Sequence, residues 1–154
     1  MTGIGYDVHQ FAEGRALVLG GVTIPHSHGL AGHSDADVLC HAIADAVLGA
    51  MGLPDIGYYF PPGDAACAGI SSLKILEKCR ELAAEAGLTI INVDSTIIAE
   101  APKVLPHRDA MRINIGAALG IAPARVGIKA TTNETMGFVG RKEGIAAMAV
   151  AQVD

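Results

Sequence analysis

Between residues 38 and 51 the apolar residues come in adjacent pairs, Val38/Leu39, Ala42/Ile43, Ala46/Val47 and Ala50/Met51, repeating every four positions. That period predicts a helix with a wide buried stripe, which must pack against another layer to be stable. Ser34 reads as its N-cap, with Asp35 and Asp37 in the first turn, where carboxylates suit the helix dipole. Gly52 and Pro54 end it.

The partners of this helix are legible on either side. Residues 2–9 predict a short strand, and RALVLGGVTIP (15–25) predicts a hairpin around Gly20-Gly21. LPDIGYYFPPGDAACAG (53–69) reads as a long loop, of the kind that often carries function. Residues 70–87 predict a second helix, capped by Ser71 or Ser72 and stopped at Gly87. The β-branched run 88–99 predicts a strand with Ile91, Val93, Ser95 and Ile97 on one face and Asn92, Asp94, Thr96 and Ile98 on the other. A third helix spans 106–120, with Pro106 near its start, and strands at 125–132 and 144–153 follow. Strands interleaved with three helices predict an α/β sandwich. We expect a single domain over 1–154, with a mixed β-sheet and helices packed on one face. The small apolar residues of the final strand suit the inside of a sheet or a subunit boundary.

Composition removes several classes of function. Hydrophobic residues make up 51% of the chain but aromatics only 4%, so Ala, Val, Ile and Leu must build the core. No apolar run approaches the ~20 residues of a membrane span, and the N-terminus resembles neither a secretory nor a transit segment. A net charge of −5 argues against nucleic-acid binding, which calls for a basic stripe. The three cysteines, Cys40, Cys67 and Cys79, form no CxxC pair, and free thiols fit a cytoplasmic location.

The opening MTGIGYDVHQF places Asp7 and His9 one residue apart, on one face of a strand. They are either a solvated edge or half a metal site. His41 lies mid-helix with Asp37 and Asp45 four residues either side, on the face opposite the apolar stripe. Either aspartate could accept the second N–H of a metal-bound imidazole. Two imidazoles and one carboxylate with an open fourth position form a catalytic zinc arrangement. In KATTNETMGFVGRKEG (129–144), Thr131, Thr132, Glu134 and Arg141 could hold a phosphate and a hard cation, or be a polar strand-end loop. EAPKVLPH (100–107), with Lys103 at its tip, is either a cradle for a flat ring or a rigid connector. Asp55 and Asp64 flank an aromatic turn that could recognise hydroxyls. His26, His28 and His107 read as surface histidines, whereas His33, beside the expected cap, could meet a diphosphate at the helix terminus.

GYDVHQF, LGGVTIP, GLAGHSDADVLCHAIADAVLGA, DIGYYFPPGD, NVDSTIIAEAPK and IKATTNETMGFVGRKEGIAA run through the chain in this order. Together they resemble the 2-C-methyl-D-erythritol 2,4-cyclodiphosphate synthase family of the non-mevalonate isoprenoid pathway. The resemblance implies a homotrimer with active sites between subunits. Its substrate would be 4-diphosphocytidyl-2-C-methyl-D-erythritol 2-phosphate, which is cyclised with loss of CMP. By matching motif, Asp7, His9 and His41 would bind Zn²⁺, and Glu134 would hold Mg²⁺ or Mn²⁺. His33 and Ser34 would meet phosphate oxygens, with His33 and Thr132 stabilising the transition state. Asp55, Ile56, Gly57, Phe60, Pro61, Pro62, Gly63 and Asp64 would surround the methylerythritol. Ala99, Glu100, Ala101, Pro102, Lys103, Val104 and Leu105 would hold the cytidine, helped by Thr131, Thr132, Asn133 and Glu134. Phe138 and Arg141 complete the set, Arg141 near a trimer-axis cavity for an isoprenoid diphosphate. The chain departs from the family pattern at Gly63, where a hydroxyl residue is usual, at Ser71, where Asp is common, and in a first strand one residue short. Two rivals stay open: a metal-dependent hydrolase of nucleotide diphosphates, and a non-catalytic trimeric module that binds isoprenoid diphosphates.

Overall fold

A computed structural model describes residues Met1–Asp154. The chain runs through β1 (Thr2–Ala12), β2 (Leu17–Leu19), β3 (Val22–Ile24), β4 (Gly29–Leu30), α1 (Val38–Ala50), α2 (Ile56–Tyr59) and α3 (Ser72–Glu85). It continues through β5 (Ile90–Ile98), α4 (Arg108–Leu119), β6 (Val126–Thr131), α5 (Gly137–Gly140) and β7 (Gly144–Val153). Five strands form a sheet in the order β4-β1-β7-β5-β6, and β2 and β3 form a separate hairpin. β7 is antiparallel to both β1 and β5, and β6 is parallel to β5. The sheet is therefore mixed, and β1, β5 and β6 direct their carboxyl ends to the same edge.

β7 lies in the middle of that sheet, the first of the two places its small apolar residues suit. Its Ala147, Ala149 and Ala151 face α1 and are buried. Eleven residues of α1 are buried, including Leu39, Ile43 and Leu48, each contributing about 1.5–3 kcal/mol of transfer free energy. Their Ala neighbours let the helix lie close to the strands. The closest approach is to β1, where a Cβ on Gly5 would stand 1.9 Å from the Ala42 carbonyl oxygen and one on Gly3 2.2 Å from that of Ala46. Only glycine fits at either position. α3 and α4 cover the outside of α1 and the β6 side of the sheet. The opposite sheet face is bare of helices, and Ile4, Tyr6, Val8, Met148 and Val150 stand 41–68% exposed there.

Several boundaries differ from those expected. β1 runs to Ala12 because its last two residues pair with β4. α1 begins at Val38 and is capped by Asp37, not Ser34. Asp37 is fully buried, and its carboxylate accepts N–H bonds from Cys40 at 3.1 Å and from Gly20 and Gly21 at 3.0 and 2.8 Å. One side chain thus caps the helix and ties it to the β2–β3 turn. Burial pushes the Asp37 carboxyl up despite those three donors. A bulge between Ile90 and Asn92 shifts the register of β5, so Ile90, not Ile91, joins Val93, Ser95 and Ile97 inside. The 53–69 loop contains α2 and a 3-10 turn at Ala65–Cys67, and a second such turn at Leu105–His107 precedes α4.

Candidate active site

Gly3, Gly5, Asp7 and His9 occupy alternate positions of β1 and so share the face toward α1. Where the row changes from glycine to Asp and His, His41 of α1 meets it. Asp7 Oδ2 lies 2.9 Å from His9 Nε2 and 3.0 Å from His41 Nδ1, and the two ring nitrogens are 3.1 Å apart. Zinc bonds of about 2.0–2.2 Å would set tetrahedral donors about 3.3–3.5 Å apart, so a small outward relaxation accommodates a divalent ion. The three residues are close enough to bind a metal.

The tautomer of His9 is set by its other nitrogen. Nδ1–H donates to the Ala31 carbonyl at 2.7 Å, which leaves the Nε2 lone pair for the site. Burial would raise the Asp7 carboxyl, but hydrogen bonds and charge from His41 and His9 outweigh it and hold the group far below the usual range. For His9 the balance is reversed in sign: burial alone would lower it, and the Asp7 hydrogen bond and charge raise it. Below that raised value a metal must displace a ring proton. Zn²⁺ affinity is therefore expected to fall by about tenfold per pH unit as the solution is acidified through the His9 titration. Chelator-competition titrations at pH 8, 7 and 6 check this, and a flat profile would contradict it.

The expected carboxylate partner of His41 is corrected. Asp37 is committed to its cap, and Asp45 accepts the Ile56 N–H at 2.9 Å, which pins α2 to α1. His41 Nε2 instead faces Ser72 Oγ at 2.9 Å and Ser34 Oγ at 3.2 Å. Nothing in local spacing marked Ser72, the first residue of α3.

Above the triad is a cavity of about 270 Å³, lined also by His33, Ser34, Ile56, Gly57, Phe60 and Pro62. Cys67, Ile70 and Ile75, which sequence reasoning passed over, supply its apolar wall. His33 is exposed and lies four residues before the Asp37 cap; its Nε2–H donates to the Asp64 carbonyl at 3.0 Å. Asp55 and Asp64 cap their own short helical turns. Pro61, Pro62, Gly63 and Asp64 form a type II turn, closed by Asp64 N–H to Pro61 O at 3.2 Å, with Gly63 at φ +89°. That left-handed position suits glycine.

A second cavity, of about 450 Å³, opens at the carboxyl ends of β5 and β6. Ala99, Glu100, Pro102, Lys103, Val104, Leu105, Thr131 and Thr132 line it, with Ala101 in the same loop. Glu100 Oε1 accepts N–H bonds from Asn133 at 3.1 Å and Thr135 at 3.0 Å. Glu134, between them, is exposed and held at φ +51°. Phe138 lies on α5, and Arg141, just beyond it, pairs with Glu143 at 2.9 Å. The two cavities share no residue within one chain. Asp7, Ala147, Ile97 and Ala130 form one row across the sheet, which separates β1 from β6 by three strand spacings, about 14 Å.

The profile described as the YgbB family matches residues 1–154. A 2-C-methyl-D-erythritol 2,4-cyclodiphosphate synthase from Akkermansia muciniphila is 64% identical over 154 residues, covering 99% of this chain and 91% of that protein. A solved 2C-methyl-D-erythritol-2,4-cyclodiphosphate synthase in its CDP-bound form superposes with a TM-score of 0.90 at 32% identity, with 100% of both chains covered. The bifunctional IspDF from Campylobacter jejuni gives a TM-score of 0.94 at 42% identity; 99% of this chain matches 41% of that longer one. No helix is long and apolar enough to cross a membrane.

Proposed function

The chain belongs to the YgbB family, and from that membership we propose that it cyclises 4-diphosphocytidyl-2-C-methyl-D-erythritol 2-phosphate to 2-C-methyl-D-erythritol 2,4-cyclodiphosphate. A 2-phosphate oxygen attacks the β-phosphorus, the bond from that phosphorus to the α-phosphate oxygen breaks, and CMP leaves. The observation that carries this reading is the Asp7–His9–His41 triad at the base of a cavity of phosphate-binding size.

Intramolecular phosphoryl transfer asks for alignment and charge neutralisation more than for a covalent nucleophile. Zn²⁺ held by Asp7, His9 and His41 would act as a Lewis acid on the β-phosphate, and Mg²⁺ or Mn²⁺ on Glu134 would neutralise the diphosphate. Ser34 and His33 reach phosphate oxygens at the cavity mouth, and His33 with Thr132 meets the charge that develops in the transition state. Ile56, Gly57 and Phe60 enclose the methylerythritol, with Asp55 and the Pro61–Asp64 turn at its hydroxyl end. The loop from Ala99 to Leu105 receives the cytidine through main-chain groups and Lys103, with Thr131 to Glu134 beside it.

The two cavities share no lining residue within one chain, which suits a site shared between chains. The exposed apolar sheet face of Ile4, Tyr6, Val8, Met148 and Val150 supports a homotrimer closed about that face. Phe138 and Arg141 then lie toward neighbouring subunits, with Arg141 offered to an isoprenoid diphosphate on the axis. Three free cysteines suit a cytoplasmic setting.

Incubating metal-loaded protein with the substrate tests the reading by ³¹P NMR. CMP with a ring-closed diphosphate is expected; ring-opened phosphates would favour the hydrolase reading, and no CMP at all the non-catalytic one. Glu100→Ala removes the acceptor that holds Asn133 and Thr135 around Glu134. It is expected to weaken CDP binding by about tenfold, the worth of one or two charge-assisted hydrogen bonds, with Zn²⁺ content unchanged. Calorimetric titration with CDP alongside metal analysis measures both.

A further inference from the structure

We infer that Ser72 and Asp35 form a positioning pair that selects the tautomer of His41 and so fixes the nitrogen it offers to the metal. This inference deepens the metal-site reading above and rests on it.

The Asp35 carboxylate has no proton to give and accepts on both oxygens: the Ser72 hydroxyl and the Asp37 N–H (3.2 Å) on Oδ1, and the Ser72 N–H (3.0 Å) on Oδ2. The Ser72 hydroxyl proton is therefore committed to Asp35. Only lone pairs of Oγ remain toward His41, and His41 Nε2 stands 2.9 Å away. Toward Ser72 the imidazole can therefore only donate, through an Nε2–H. Nδ1 faces Asp7 Oδ2 at 3.0 Å and His9 Nε2 at 3.1 Å; without a metal Asp7 competes as an acceptor for a ring proton, and Ser72 is the acceptor that draws one to Nε2. Ser72 is fully buried, so water does not compete. The neighbouring Ser34 hydroxyl cannot substitute: it accepts the Ala36 N–H at 3.1 Å, but its own proton is uncommitted and could be donated to Nε2, stabilising the wrong tautomer. Partners of this kind behind a metal-bound histidine typically alter affinity or activity 10–100-fold.

Ser72 can be changed without removing the helix cap, because Ser71 Oγ caps α3. The experiment uses full-length protein, wild type and Ser72→Ala, with Zn²⁺ affinity read by chelator competition, apoprotein melting temperature, and ¹⁵N shifts of the His41 ring. In wild-type apoprotein the ring is expected with Nε2 protonated. Ser72→Ala is expected to lose 10–100-fold in Zn²⁺ affinity and to show Nδ1–H or mixed tautomers, while the apoprotein melts within a few degrees of wild type. A folded Ser72→Ala with unchanged Zn²⁺ affinity and ring shifts would overturn the pairing and leave the metal site standing. A wild type that binds no Zn²⁺ would overturn both. If Ser72→Ala fails to fold, the wild-type ring shifts decide alone: an Nδ1–H ring refutes the inference, and an Nε2–H ring supports it.

Discussion

Gly5→Ala is expected to lower the melting temperature by about 10 °C and to abolish tight metal binding. A single methyl at this position would lie 1.9 Å from the Ala42 carbonyl oxygen and 2.7 Å from the Ala46 nitrogen. Both are backbone atoms of α1 and cannot rotate aside. Relief requires the helix to withdraw from β1 by more than an ångström. Overpacking of a core costs about 1–3 kcal/mol, more where backbone must shift, and each kcal/mol moves the melting point of a domain this size by roughly 2–4 °C. The same withdrawal carries His41 away from Asp7 and His9, so metal affinity should fall further than stability alone implies. Gly49→Ala is the control. It lies in the same helix, and its Cβ would have 3.7 Å to the nearest atom. There alanine should stabilise by about 0.5–1 kcal/mol through helix propensity. Thermal melts and chelator-competition titrations of the two variants measure both effects. Equal melting points would refute the close-approach argument.

His41→Ala is expected to lose bound Zn²⁺ and at least about 10³-fold in CMP release while keeping the fold. Lewis-acid assistance is worth several kcal/mol of transition-state charge stabilisation, and each 1.36 kcal/mol is tenfold in rate. The fold should survive because both ring nitrogens are spent on polar partners, Asp7, His9, Ser34 and Ser72, at the wall of a cavity. Water from the cavity can occupy the space and satisfy Ser72 and Asp7. Metal analysis, a CMP assay and far-ultraviolet circular dichroism measure the three quantities. Loss of the helical spectrum would mean that His41 is chiefly a core residue.

The metal site was half legible in one dimension. Strand alternation alone puts Asp7 and His9 on one side, and the four-residue rhythm of α1 leaves His41 off its apolar stripe. Those inferences need only local backbone geometry. The partner of His41 was not legible: Asp37 and Asp45 sit at the right helical spacing, yet each is taken by backbone donors from elsewhere, Gly20 and Gly21 in one case and Ile56 in the other. The group that does meet His41 is Ser72, thirty-one residues away. Helix α1 starts late for a related reason, since a carboxylate serving both the hairpin turn and the helix end outcompetes the hydroxyl of Ser34.

The chain's own order of residues thus determined the three long helices and the longer strands, the aliphatic core and the three candidate ligands, because each follows from periods of two or 3.6 residues that the backbone imposes locally, whereas the short helices α2 and α5 lie in stretches that read as loops. Only the tertiary structure decided how near α1 comes to β1, which hydroxyl stands behind His41, and that the two cavities are lined by separate sets of residues, one over β1 and α1 and the other at the ends of β5 and β6. Those are matters of packing between segments distant in sequence, where a hydrogen-bond partner is chosen by what the fold brings within 3 Å and not by its spacing along the chain.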